Sequence, residues 1–529
     1  MSSSLALDPR RPLTSTYRLQ MNAGFTLDHA RARLDYFEQL GVSHLYLSPI
    51  FAARRGSQHG YDVVDPARIN PELGTEADLR ALADDLHGRS MGLIVDIVPN
   101  HMAIGDENRY WDDVLTHGER SRYARWFDID WSWPLDDTRQ RKLVLPILGN
   151  DLDRVLACGE LSVRLREGET PRIVYATHSF PLDPDSLPPD LQLAQVDPEE
   201  TGDLAKLYSG IAGRDRLSRL LEVQHYRLVS WRRGRTTINY RRFFDVNELA
   251  AVRVEDPTVF DETHALVLRL VHDGVIDGLR IDHVDGLLDP AVYLERLRAA
   301  TSPETAIFVE KILAPDECLP DTWPVQGTTG YEFLNDVENV FLDAVGTPQV
   351  ERFYRRLRRL GATTFADIAR DAKTRVLEES LRADVDRVAV LLVPMARAAG
   401  HGWNADGLAA ALIAFVAALP VYRTYIDETS PLTPADRSAI ERAAADAIRH
   451  DGQDEIVAFI ASVLLDESLT GDAAMARVQF AQRVQQLSGP AAARGVEDTA
   501  LYVYVPVISR DEVGSEPDRP VGGAVDRLH

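Results

Sequence analysis

The residues best suited to chemistry lie in two short runs, Gly278-Leu-Arg-Ile-Asp282 and Ile307-Phe-Val-Glu-Lys311, each a strand-like stretch bearing a carboxylate at its end. In a strand, successive side chains alternate faces, so Arg280 and Asp282 share one face while Leu279 and Ile281 share the other. A guanidinium so close is expected to hold Asp282 ionised, as a nucleophile requires. Glu310 sits in a run without an arginine and is expected to stay protonated, as a general acid requires. Two carboxylates in contrasting surroundings point to chemistry on a glycosidic bond. The competing reading is a structural ion pair at a strand end.

Other polar clusters are weaker taken singly. Asp96-Ile-Val-Pro-Asn-His101 closes an apolar run, and an Asp and a His in such a loop also serve as turn-formers. Tyr61, in Ser57-Gln-His-Gly-Tyr-Asp62, offers a platform for a sugar ring or an ordinary packing contact. Glu497 and Asp498 end a further strand-like run or form a solvated turn. Recurrence carries more weight, because strand after strand ends in an acid with the same polarity. A parallel barrel brings such ends together at its C-terminal face.

The elements that must position these groups follow a β/α rhythm. Short strands at 15–19, 45–47 and 92–96 alternate with helices at 27–40 and 76–87, and the rhythm resumes from 253 to the strand ending at Glu310. The expected fold is α/β, a (β/α)8 barrel with an irregular insertion after strand 3 and a largely helical insertion after strand 5. The expected divisions are 12–104 and 253–334 for the barrel, 105–252 for an inserted subdomain, 335–486 for the helical insertion, and 487–529 for a late barrel strand. Within the helical part, Pro420 to Tyr425 reads as a further strand. Trp111, Trp126, Trp131 and Trp133 either cover the site or fill the insertion's core.

Composition narrows the classes. The 529 residues are 45% hydrophobic and 26% charged, ordinary for a globular enzyme. A net charge of −24 argues against nucleic acid as a partner, since that affinity comes from Lys and Arg on phosphates. Cys158 and Cys318 are far apart and form no metal-spaced pair, so neither a disulfide framework nor a metal is expected. Residues 1–12 lack the apolar core of a signal peptide, and no run is long enough to cross a bilayer, so no membrane partner and a cytoplasmic location are expected.

The motifs ending in Asp96 to His101, Asp282 and Glu310 resemble those of the α-amylase superfamily of retaining glycoside hydrolases and transglycosylases (glycoside hydrolase family 13). Longer segments, among them Thr14-Ser-Thr-Tyr-Arg-Leu-Gln20, Phe244-Asp-Val-Asn-Glu-Leu-Ala250, Gly327-Thr-Thr-Gly-Tyr331 and Gly495-Val-Glu-Asp-Thr499, resemble a narrower family within it, the maltooligosyltrehalose synthases. This resemblance runs from about Pro12 to the end of the chain. It implies Asp282 as nucleophile, Glu310 as general acid and base, and Asp498 as the carboxylate that stabilises the transition state. It further implies Arg280, His101 and His283 as supporting groups at the sugar, Tyr61 stacked on it, and Asp96 and Asn100 shaping the loop.

The activity so implied is an isomerase reaction without a cofactor, in a monomer. It would move the reducing-end glucose of a maltodextrin from an α-1,4 to an α,α-1,1 link. Hydrolysis of α-glucans or of the trehalose product, or a glycan-binding fragment without activity, remain as alternatives. Two departures from the family pattern stand out. Val503 occupies a Tyr-Val-Tyr stretch where an arginine is expected, and the chain reaches His529 soon after Asp498, so the end of the barrel and a C-terminal β domain are expected to be missing.

Overall fold

The computed structural model describes residues 11–133, 141–166, 169–193, 205–315, 317–452 and 454–522. Residues 1–10, read above for a signal sequence, and the last residues, 523–529, lie outside them.

Six parallel strands pair in the order of the chain: β1 (Thr16–Leu19), β2 (His44–Leu47), β3 (Gly92–Ile97), β4 (Gly278–Ile281), β5 (Ala306–Val309) and β6 (Gly327–Thr328). Chain-order pairing of parallel strands with crossover helices is the arrangement of a (β/α)8 barrel. The curled sheet carries six of its strands among the described residues. β3 and β4 are buried along their whole length, so they read as unbroken apolar runs rather than as alternating ones. The crossover helix Pro257–His272 starts cleanly because Asp256 accepts from the Thr258 N–H and Pro257 pre-sets the first turn. Pro290–Ala299 starts the same way, with Asp289 accepting from the Val292 N–H.

Between β3 and β4 the chain builds small sheets and short helices, and its core is continuous with that of the barrel. Trp111 and Trp126 are buried there, Trp111 edge-on to Phe127 and Tyr240 and Trp126 stacked on Tyr110. These two therefore fill a core rather than cover a site. From Tyr331 onward the chain is helical, and a second hydrophobic core forms among helices spanning residues 365–492.

Three expectations are corrected. The helical part follows the sixth strand, because two residues, Gly327 and Thr328, pair with Phe308 and Val309 before the helices begin. The run at 420–425 is no strand; its polar groups bond to side chains and to the turn after β4, as described below. The run at 495–498 is no late barrel strand either. It lies in a π-helical continuation, Ala493–Ala500, of the helix Gly471–Ala492. There the backbone is satisfied within the helix, and Gly495 lies against Lys373 so closely that a Cβ would meet the Lys373 backbone at 2.8 Å. Wide helical turns of this kind gather at functional sites.

Candidate active site

Parallel pairing sets the site. Arg280 is in register with Asp96 on one side and Phe308 on the other, so its side chain stands among the C-terminal ends of three strands. Nη1 donates to both Asp96 oxygens at 2.9 and 3.0 Å and to Asp282 Oδ1 at 2.8 Å. Nη2 lies 3.0 Å from Glu310 Oε1. One buried cation thus serves three carboxylates. Asp96 is fully buried and also accepts from Tyr46 at 2.8 Å and Tyr61 at 2.6 Å, while Arg18 donates to the Tyr61 hydroxyl. Asp96 therefore forms the floor of the site rather than merely shaping a loop.

Glu310 is held from the next strand. Its backbone N–H donates to Ile281, extending the ladder, and Oε2 accepts the His283 N–H at 2.8 Å. His283 can aim that N–H because it adopts a left-handed conformation with φ 47°. The turn after it packs tightly: a Cβ on Gly286 would meet the His283 ring at 2.3 Å and the Asn100 amide at 2.5 Å. Asn100 accepts from Arg241, and His101 stacks on Phe243 at 4.2 Å. His101 Nε2 and Asp282 Oδ2 are buried with no hydrogen-bond partner among the described residues. Such atoms are open to a ligand.

The charge states differ from the expectation. Burial and the neighbouring Glu310 charge push Asp282 well above the usual carboxylate range, against the pull of Arg280. Burial also pushes Glu310 up, but Arg280 and His283 outweigh it and leave Glu310 below its ordinary value. Both shifts run opposite to the expected assignment of Asp282 ionised and Glu310 protonated. The reason is the arginine on the adjacent strand, which the Glu310 run does not itself contain. Burial lowers His101 to about 3 and His283 to about 4, so both are neutral donors or acceptors at physiological pH.

Asp498 stands apart from this cluster. It is half-exposed and bonded to Arg494, which also holds Asp245 at 2.9 Å and lies over the Phe244 ring. Phe244 in turn meets the His283 ring edge-on at 5.1 Å. The third expected carboxylate is therefore linked to Glu310 only through Arg494, Phe244 and His283. Its neighbour Glu497 is half-buried, accepting from the Tyr422 hydroxyl and pushed by desolvation up to about 7. The Val503 carbonyl accepts from the Tyr354 hydroxyl, and the Val503 side chain is exposed.

Sequence reasoning missed Tyr46, Tyr331, Arg241, Phe244 and Arg423. Tyr46 was readable in principle, since the apolar run Leu45-Tyr46-Leu47 has one polar member on the period-two face. Phe244 and Tyr331, whose hydroxyl lies 3.5 Å from Glu310 Oε1, stand in segments that carry the resemblance, and Arg423 in the run read as a strand, but nothing in those runs or around Arg241 shows which side chains reach the site. A cavity of about 370 Å³ opens beside Phe244 and Arg241, lined also by Asp128 and Arg483.

Residues 24–146 match the family model of the alpha-amylase catalytic domain. Over 98% of its length the chain is 37% identical to a putative maltooligosyl trehalose synthase of Mycobacterium tuberculosis, 60% of which is covered. The maltooligosyltrehalose synthase structure from Arthrobacter ramosus matches with a TM-score of 0.80 at 36% identity, over 97% of this chain and 60% of that one. A hypothetical maltooligosyl trehalose synthase of Sulfolobus tokodaii matches with a TM-score of 0.71 at 33% identity, over 95% and 58%. The chain spans about three-fifths of the length of these relatives. The chain is a homologue of the maltooligosyl trehalose synthases and carries a match to the alpha-amylase catalytic domain.

Proposed function

We propose that this chain carries the catalytic centre of a retaining transglucosylase that turns the reducing-end α-1,4 link of a maltodextrin into an α,α-1,1 link. The observation that carries the proposal is Arg280 bridging Asp282 and Glu310 at the ends of adjacent strands. Asp282 Oδ2, free of other bonds, attacks the anomeric carbon, and Glu310 gives a proton to the departing oxygen. Attack requires Asp282 ionised and Glu310 protonated, so a proton shared by the pair sits on Glu310 at that step.

A glycosyl ester on Asp282 and a free glucose result. The glucose turns, Glu310 takes the proton of its anomeric hydroxyl, and that oxygen displaces Asp282. Two inversions leave the α configuration. His101 and Arg280 bind the sugar held over Asp96, Tyr61 lies beside it, and Asp498 supports the transition state once released from Arg494. The cavity beside Phe244 lies in the lower part of the range usual for small-ligand pockets, and none of Asp282, Glu310 and Asp498 lines it.

Incubation with maltopentaose tests this reading. Loss of reducing ends without new chain ends, together with an α,α-1,1 anomeric signal in the proton spectrum, supports it. A rise in reducing ends makes the chain a hydrolase instead. The half-exposed Asp498 favours that second reading, because it leaves the rim open to water.

A further inference from the structure

The run Val421-Tyr-Arg-Thr-Tyr425 lies in the helical part of the chain, more than a hundred residues from the catalytic strands, yet it is tied to them closely. Arg423 is 2% exposed and directs its nitrogens at main-chain oxygens. Nη1 donates to Asp285 O at 2.7 Å and Leu287 O at 2.6 Å, Nη2 to Leu288 O at 3.3 Å, and Nε to Thr424 O at 3.2 Å. The intervening carbonyl, Gly286 O, accepts from Arg241 and Gln486. Four successive carbonyls of the turn that follows His283 are thus held by side chains from outside it.

The same run holds the turn's side chain. Tyr425 donates to Asp285 Oδ1 at 2.6 Å, and the fully buried Lys311 lies 3.2 Å from Asp285 Oδ2 and 2.7 Å from Glu317. Arg423 stacks over the Tyr425 ring at 5.3 Å. A cation buried on carbonyls rather than on a carboxylate loses much hydration for modest return, which is costly unless the turn's geometry matters.

We propose that Arg423 is a positioning residue, which clamps the turn 284–288 so that His283 keeps its left-handed conformation and its N–H stays on the Glu310 carboxylate. Glu310 is thereby oriented toward the sugar from a segment that touches no substrate. A lysine cannot replace this fork, since a point charge reaches one or two of the carbonyls but not all three.

Amide hydrogen exchange on the full chain tests the clamp directly, with the variants R423K and R423A. The His283 amide is expected to exchange at least about tenfold faster in R423A, the equivalent of one charge-assisted hydrogen bond, and by an intermediate factor in R423K. Amides of the strands at 279–282 and 307–310 are expected to keep their parental rates. Unchanged exchange at His283, or acceleration of the strand amides by the same factor, overturns the proposal.

The consequence for turnover rests on the function proposed above: kcat falls in R423K while maltopentaose binds with unchanged Kd. A rise in Kd with kcat preserved contradicts a positioning role. A parent chain without turnover overturns the function, while the exchange result still decides on Arg423.

Discussion

Arg280 Nη2 stands 3.0 Å from Glu310 Oε1, although the two residues belong to different strands and lie thirty positions apart in the chain. That contact decides the charge distribution of the site. The guanidinium is shared among Asp96, Asp282 and Glu310, and Asp282, with the fewest donors, is pushed up by burial while Glu310 is held down.

Removing this cation leaves buried carboxylates facing one another. R280M is expected to lower kcat/KM by at least about a hundredfold. Folding stability should fall by roughly 3–5 kcal/mol at pH 8 and by less at pH 5, where protonation relieves the repulsion. Urea denaturation at the two pH values, beside kinetics on maltopentaose, checks both parts.

Asp282 supplies a sign test. A carboxylate whose folded pKa is raised favours the folded state at low pH, and that contribution is lost as pH rises through its folded pKa. D282N removes the charge while keeping the shape. The variant should lose turnover yet be more stable than the parent at pH 7–8, with the gain shrinking toward pH 4. Thermal melts across that range read this out, and a variant less stable than the parent at neutral pH would count against the charge assignment.

Glu497 gives a second window. Burial lifts it to about 7 from 4.5, so it contributes stability below pH 4.5 that is lost as pH rises toward 7. E497Q is expected to lack this loss, and its advantage over the parent at pH 8 relative to pH 4.5 should be roughly 3 kcal/mol. Asp511, likewise raised to about 7 by burial, keeps some of the same slope in both proteins.

Gly286 is fixed by space rather than by backbone angle. G286A places a methyl against the His283 ring and the Asn100 amide, and is expected to cost about 1–3 kcal/mol of stability. Displacing His283 should also weaken sugar binding. Isothermal titration with maltopentaose, compared with the parent, would show a Kd raised severalfold, whereas an unchanged Kd would separate His283 from the sugar site.

Much of the site was legible because its carboxylates end strands. Asp96, Asp282 and Glu310 each close an apolar run, and parallel pairing aligns those ends without further information. What failed depended on neighbours that the local sequence does not contain. Glu310 was read as protonated because its own run has no arginine, yet the register brings Arg280 across from β4. Gly495 to Asp498 looked like a strand end because a short run of apolar residue and acid has no period of its own. The preceding helix simply continues through it. Arg483 and Asp128, bonded across 355 positions, show how far apart the partners of the insertion and the helical part lie in sequence.

The central claim is that Asp282 forms a covalent bond to the sugar while Glu310 handles the proton. Reaction with 5-fluoro-α-maltosyl fluoride, followed by intact-mass and peptide analysis, tests it most directly. One added fluoromaltosyl unit is expected on Asp282 in the parent chain, and none in D282N. An adduct on Glu310 or Asp498, or turnover of the reagent with inversion and no adduct, would contradict it.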